Sequence, residues 1–225
     1  MKNKKIWLIT IFALCACGLH ALMLRTQFNY YLYTSAFKVL LFILFPVIYF
    51  MLTKDGKFKN ILSLKGDKKT IRISCIIGFC VFAFIQLAFM VLRPFLDEAM
   101  IVGALENNGI SSGNFPLVFI YIVLINAALE ELFFRGFIFL TLYRMGFRVY
   151  AHACSCLLFA FYHVAILNSA VTLGMLIFLI FGLAVAGLIF NYFAMKCRSI
   201  IGSLIVHISA NLSLNLIVSI HYLFG

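Results

Sequence analysis

Apolar stretches long enough to cross a bilayer recur along the whole of this chain, and that repetition leaves few folds open to it. They cover roughly residues 6–24, 36–53, 71–92, 116–143, 149–167, 171–195 and 199–220. A crossing helix needs about 20 such residues, so the expected fold is all-α: a polytopic bundle of seven transmembrane helices. The fourth stretch, Pro116 to Tyr143, exceeds one crossing, and a tilt, a kink or a split near its middle would accommodate it. A split would make eight spans. Composition agrees, since 65% of the 225 residues are hydrophobic and 11% charged, with a mean hydropathy of +1.11. Soluble domains lie nearer half apolar and a quarter charged. Residues 1–115 hold the first three spans with their loops, and residues 116–225 hold the four that carry the chemical groups.

The formal net charge of +11 raises the question of nucleic acid, and its distribution answers it. Lys2, Lys4 and Lys5 precede the first span, and Lys54, Lys57, Lys59, Lys65, Lys68, Lys69 and Arg72 crowd one loop. Arg144, Arg148, Lys196 and Arg198 mark two others. This is the pattern of a multi-pass cell-membrane protein with its N-terminus in the cytoplasm, and it suits an anionic bilayer surface. The acidic loop from Arg93 to Phe115 and the C-terminus then lie outside. Nucleic acid is not an expected partner. The first residues also resemble a secretion signal, with Leu14-Cys15-Ala16-Cys17 similar to a lipoprotein cleavage site, but the apolar run continues past it, so a retained helix is expected. The seven cysteines show no ligand spacing, and Cys154 and Cys156 read as small buried residues.

Five of the seven acidic residues (Asp55, Asp67, Asp97, Glu98, Glu106) lie in two polar loops. Only Glu130 and Glu131 stand in apolar sequence, with Arg135 four residues further on. Ionisable groups at bilayer depth are costly and mark functional sites by default. His163 lies deep in the fifth span, and His207 and Asn211 are one helical turn apart in the seventh. At a rise of about 1.5 Å per residue, Glu130 is roughly 21 Å from Arg144, and His163 roughly 22 Å from Arg148. Asn211 is then roughly 20 Å from Arg198 and His207 roughly 14 Å. Three helices thus offer polar groups at similar depth. Gly174, Gly182, Ala186 and Gly187 suit close helix contact, and Asn126, Asn191 and Asn215 suit interhelical hydrogen bonds. His20, His152 and His221 lack such partners and read as interfacial or packing residues, and the phenylalanines as packing or lipid-facing surface.

Two carboxylates, two imidazoles and an amide in a low dielectric suit hydrolysis by water. A glutamate can be tuned as a base, and histidine and asparagine donors can stabilise an oxyanion. Glu130-Glu131-x-x-x-Arg135, Phe159-x-x-x-His163 and His207-x-x-x-Asn211, in that order on late spans, resemble the CPBP family of CAAX proteases and bacteriocin-processing enzymes, also called Abi. The Ras-converting CAAX endopeptidase is a member. The resemblance covers roughly residues 116–220, and the first three spans match only as generic helices. It implies an intramembrane endopeptidase acting on a membrane-associated peptide or protein, with Glu130 as general base and His163 orienting the water. It further implies an oxyanion site at His207 and Asn211, with Glu131, Arg135 and Phe159 in support. No residue of the motifs is missing.

The family has also been described as metalloproteases, and Glu130, His163 and His207 could supply a zinc set. With no HExxH and with asparagine a poor ligand, a reaction without metal or other cofactor is the expectation. Two other functions compete with proteolysis. One is a non-enzymatic bacteriocin-immunity factor or membrane scaffold, and the other a proton-coupled transporter, although no repeated halves are evident. Maturation of a CAAX box, a peptide pheromone or a bacteriocin all remain open as the biological role, as does immunity to a bacteriocin.

Overall fold

A computed structural model describes residues 2–26, 30–54, 58, 61–95, 98–167 and 173–224. The described residues form helices and contain no strand. In chain order these are α1 (Lys2–Met23), α2 (Tyr31–Thr53), α3 (Lys68–Leu92), a 3-10 turn (Arg93–Phe95) and the short α4 (Glu98–Asn107). Then come α5 (Phe115–Arg144), α6 (Arg148–Leu167), α7 (Leu173–Cys197) and α8 (Ile201–Phe224). Asp55, Gly56, Lys57, Lys59 and Asp97, and residues 171–172 of the sixth expected span, lie outside the described residues.

Among the described residues, six helices (α1, α2, α3, α5, α7, α8) are long and apolar enough to cross a membrane. The helix over the fifth expected span, α6, is not among them; it carries Arg148, His152 and His163. The loop expected from Arg93 to Phe115 holds the helix α4 of 10 residues, about 15 Å long and too short to cross. The turn after it needs a glycine. Gly109 has φ +78°, and a Cβ there would sit 2.8 Å from the Tyr30 ring.

The two ends of the bundle are stitched separately. At one end, Ser199 Oγ donates to the Lys65 carbonyl, Ile200 N–H to that of Ser63 (3.3 Å), and Arg144 to that of Arg198 (2.9 Å). At the other, Tyr31 N–H donates to the Asn108 carbonyl (2.8 Å), and the Phe115 and Tyr222 rings stack at 4.7 Å. The basic stretches thus gather at one end and the 108–115 turn at the other, as alternating helices require.

The long α5 does not split. It runs through alternating α and π turns, with π segments at Tyr121–Asn126 and Glu131–Leu140, and it touches α1, α2, α6, α7 and α8. Ile9, Ala13, Ala16 and His20 form the buried face of α1, spaced by three and four residues. On α2 the buried stripe runs Thr34, Ser35, Lys38, Leu41, Phe42 and Tyr49. Phe42 stacks on Phe133 of α5 at 4.1 Å. Against these, Trp7, Phe79, Phe84, Phe178 and Phe181 face outward, as lipid contact demands.

Of the small residues expected at contacts, Gly187 is used and Gly174 and Gly182 face open space. A Cβ on Gly187 would lie 2.9 Å from Cys156 Cβ and 3.0 Å from its Cα, so α6 and α7 meet there backbone to backbone. Gly187→Leu is expected to cost about 1–3 kcal/mol by overpacking, read as a lower thermal midpoint in detergent, whereas Gly182→Leu leaves it unchanged.

Candidate active site

Glu130 ends the one α-helical turn, Ala127–Glu130, between the two π segments of α5, and Glu131 opens the second π segment. Single π turns inside helices are often found at functional sites. Both carboxylates and Arg135 are buried. The two glutamates turn to different partners. Glu131 Oε1 lies 3.1 Å from Arg135 Nη1 and 2.9 Å from His207 Nδ1, whereas Glu130 Oε2 lies 3.7 Å from His207 Nε2 and 3.9 Å from His163 Nε2. His207 therefore bridges them.

The ring protons follow from the partners. His163 Nδ1 is 2.7 Å from the Phe159 carbonyl, which only accepts, so Nδ1 donates. His207 Nδ1 faces a carboxylate and donates likewise. In their neutral forms both rings then turn an Nε2 lone pair toward Glu130 Oε2, and only a doubly protonated ring offers N–H on both sides. The His163 side chain is 19% exposed against 5% for His207, which makes it the more open of the two.

Phe159 lies under three of these groups. Its ring centroid is 4.2 Å from the Arg135 guanidinium carbon, 4.7 Å from the His163 ring and 5.8 Å from the His207 ring. Phe190 of α7 mirrors it, 4.8 Å from the guanidinium and stacked on His207 at 4.9 Å. Arg135 is thus held by a carboxylate and two aromatic rings, each cation–π contact being strongest when desolvated. Phe190 was not distinguished in the sequence from the other packing phenylalanines.

Asn211 has a partner on α5. Its Nδ2 donates to the Ile122 carbonyl of the first π segment (3.0 Å), which braces α8 against α5 and occupies one of its two amide hydrogens. Asn215 bonds within its own helix, to the Asn211 carbonyl (2.9 Å), rather than between helices. Asn191 does bridge: it accepts from Ser155 Oγ (3.0 Å) and donates to the His152 carbonyl (3.3 Å) of α6. His20 packs its ring on Tyr162 at 5.3 Å.

One charged residue beside Glu130 belongs to none of the sequence motifs. Lys38 of α2 is buried with its Nζ 3.3 Å from Glu130 Oε1, and it donates to Asn126, whose own Nδ2 donates to Glu130 Oε1 at 3.1 Å. The depth count locates it, since Lys38 lies about 24 Å from the Lys54 that closes its span, level with Glu130 and His163.

Residues 112–213 match the family model described as type II CAAX prenyl endopeptidase Rce1-like. No curated protein and no solved structure matches the chain. The matched stretch holds every residue of the site except Lys38.

Proposed function

We propose that the chain, whose residues 112–213 match the Rce1-like CAAX prenyl endopeptidase family model, is an intramembrane endopeptidase that cuts a membrane-associated peptide or protein with a water activated by Glu130. The observation that supports this most is the convergence of Glu130 Oε2 with His163 Nε2 and His207 Nε2 at 3.9 and 3.7 Å, from three different helices. Two acceptors, Oε2 and His163 Nε2, match the two hydrogens of one water. As the water oxygen bonds to the scissile carbonyl carbon, Oε2 takes one of its protons. The carbonyl oxygen becomes an oxyanion, within the role of a doubly protonated His207 and of the second amide hydrogen of Asn211. When the C–N bond breaks, the proton on Glu130 passes to the leaving amine. The products are an amine and a carboxylic acid, which keeps the water's second proton until it ionises, with no covalent enzyme intermediate.

Lys38 supports a reaction without metal. A divalent ion held by Glu130, His163 and His207 would have to share one carboxylate with Lys38, whose Nζ lies 3.3 Å from its other oxygen and competes for its charge. Among the described residues, no three His, Cys, Asp or Glu groups are placed to hold a metal ion. We place the stitched basic end, with the N-terminus, on the cytoplasmic side of a cell membrane.

The test compares membrane peptidomes from cells carrying the wild-type chain and a site variant. Peptides that accumulate uncut only in the variant are the expected result, and purified protein in liposomes should cut a synthetic copy of them at an unchanged rate with a zinc chelator present. Identical peptidomes would count against proteolysis and for an immunity or scaffold role; loss of cleavage on chelation would restore the metal.

A further inference from the structure

The reaction above gives Lys38 no part. Lys38 lies on the inward stripe of α2, and its Nζ is 3.3 Å from Glu130 Oε1. Among the described residues, the ion-pair partners of Glu130 are Lys38 of α2, His163 of α6 and His207 of α8, and the imidazoles are charged only when protonated. Arg135, the other buried cation, is paired with Glu131. Asn126, one turn before Glu130 on α5, accepts from Lys38 and donates to Glu130 Oε1, so the three side chains close a ring of donors and acceptors.

The two oxygens of Glu130 are therefore unlike. Oε1 receives Lys38 (3.3 Å) and Asn126 (3.1 Å), whereas the buried Oε2 takes no hydrogen bond from the described residues and faces the two histidines. We infer that Lys38 is a positioning residue: with Asn126 it clamps Oε1 and keeps the carboxylate ionised, so that Oε2 stands free to take the proton of water. The inference rests on Glu130 being the base. A carboxylate without a counter-charge in an apolar interior gives up its charge by taking a proton, and a protonated glutamate cannot deprotonate water. The helix that resembles no family motif then supplies a working part of the site.

The test reads the carboxyl group itself as well as turnover. In Lys38→Met protein at neutral pH, infrared spectroscopy is expected to show a protonated-carboxyl C=O stretch that the wild type lacks. Adding Glu130→Gln to that variant should remove the band. With the identified peptide, kcat should fall by about 10²-fold, the scale of a misplaced reacting group, while KM holds. Lys38→Arg, which keeps the charge, should recover most of the loss. Lys38→Gln, which keeps donors and removes the charge, carries the same test if Lys38→Met does not fold. Absence of the band, or a kcat close to wild type, overturns the inference, as does an equal loss in Lys38→Arg that tracks the unfolded fraction. If Glu130→Gln alone still cuts, the assignment of the base fails, and the band still decides whether Lys38 holds the carboxylate ionised.

Discussion

Glu130→Gln is expected to reduce peptide cleavage by about 10²–10⁴-fold, the usual contribution of a general base. The amide is nearly the same shape as the carboxylate. Its oxygen can still accept from Lys38 and Asn126, and its NH₂ can donate to the His163 and His207 Nε2 atoms that now lie 3.9 and 3.7 Å from Oε2. What is lost is the proton acceptor. The variant also leaves the Lys38 ammonium buried without a counter-charge, which is strongly destabilising when one partner of a buried pair is removed. The double variant Glu130→Gln/Lys38→Met removes both charges. It should fold as the wild type does and remain inactive, which separates lost chemistry from lost structure. Undiminished cleavage in well-folded Glu130→Gln protein would end the case for a glutamate-activated water.

Much of this site was legible because charge is so costly in hydrocarbon that the few ionisable residues there stand out. Glu130, Glu131 and Arg135 stand out as an interruption in an apolar run, and the depth count groups Glu130 with His163, Asn211 and His207. The Glu131–Arg135 spacing of four residues foretold their contact at 3.1 Å. Three features depend on packing. Lys38 stands near the start of its span, where a lysine reads as an interfacial anchor, and only the packing of α2 on α5 turns it inward. The π segments leave no mark in hydrophobic periodicity. Asn211 has the position expected of an oxyanion donor, but its bond to the Ile122 carbonyl depends on how α8 meets a π turn. Phe190 illustrates the general difficulty: among 26 phenylalanines, nothing in the sequence singles out the one stacked on a site histidine.

Arg135→Met is expected to destabilise the protein by about 3–5 kcal/mol, the cost of breaking a buried ion pair by removing one side. Here the orphan would be Glu131, a fully buried carboxylate, and the Phe159 and Phe190 rings would also lose the guanidinium at 4.2 and 4.8 Å. Glu131→Gln/Arg135→Met replaces both charges and should recover most of that loss, so a double-mutant cycle on thermal or denaturant unfolding in detergent is expected to give a large coupling energy. Recovery of folding should not bring full recovery of cleavage. Glu131 also accepts from His207 Nδ1 at 2.9 Å. A glutamine there can still accept that hydrogen bond and hold the tautomer, but it brings no charge to stabilise the doubly protonated ring that the oxyanion requires. The neutral double variant is therefore expected to be folded and slow, with the deficit in kcat rather than in KM. A stable protein with full activity would make the pair dispensable to both. A stable protein with only kcat reduced would show that one buried ion pair serves the fold through Arg135 and the chemistry through His207.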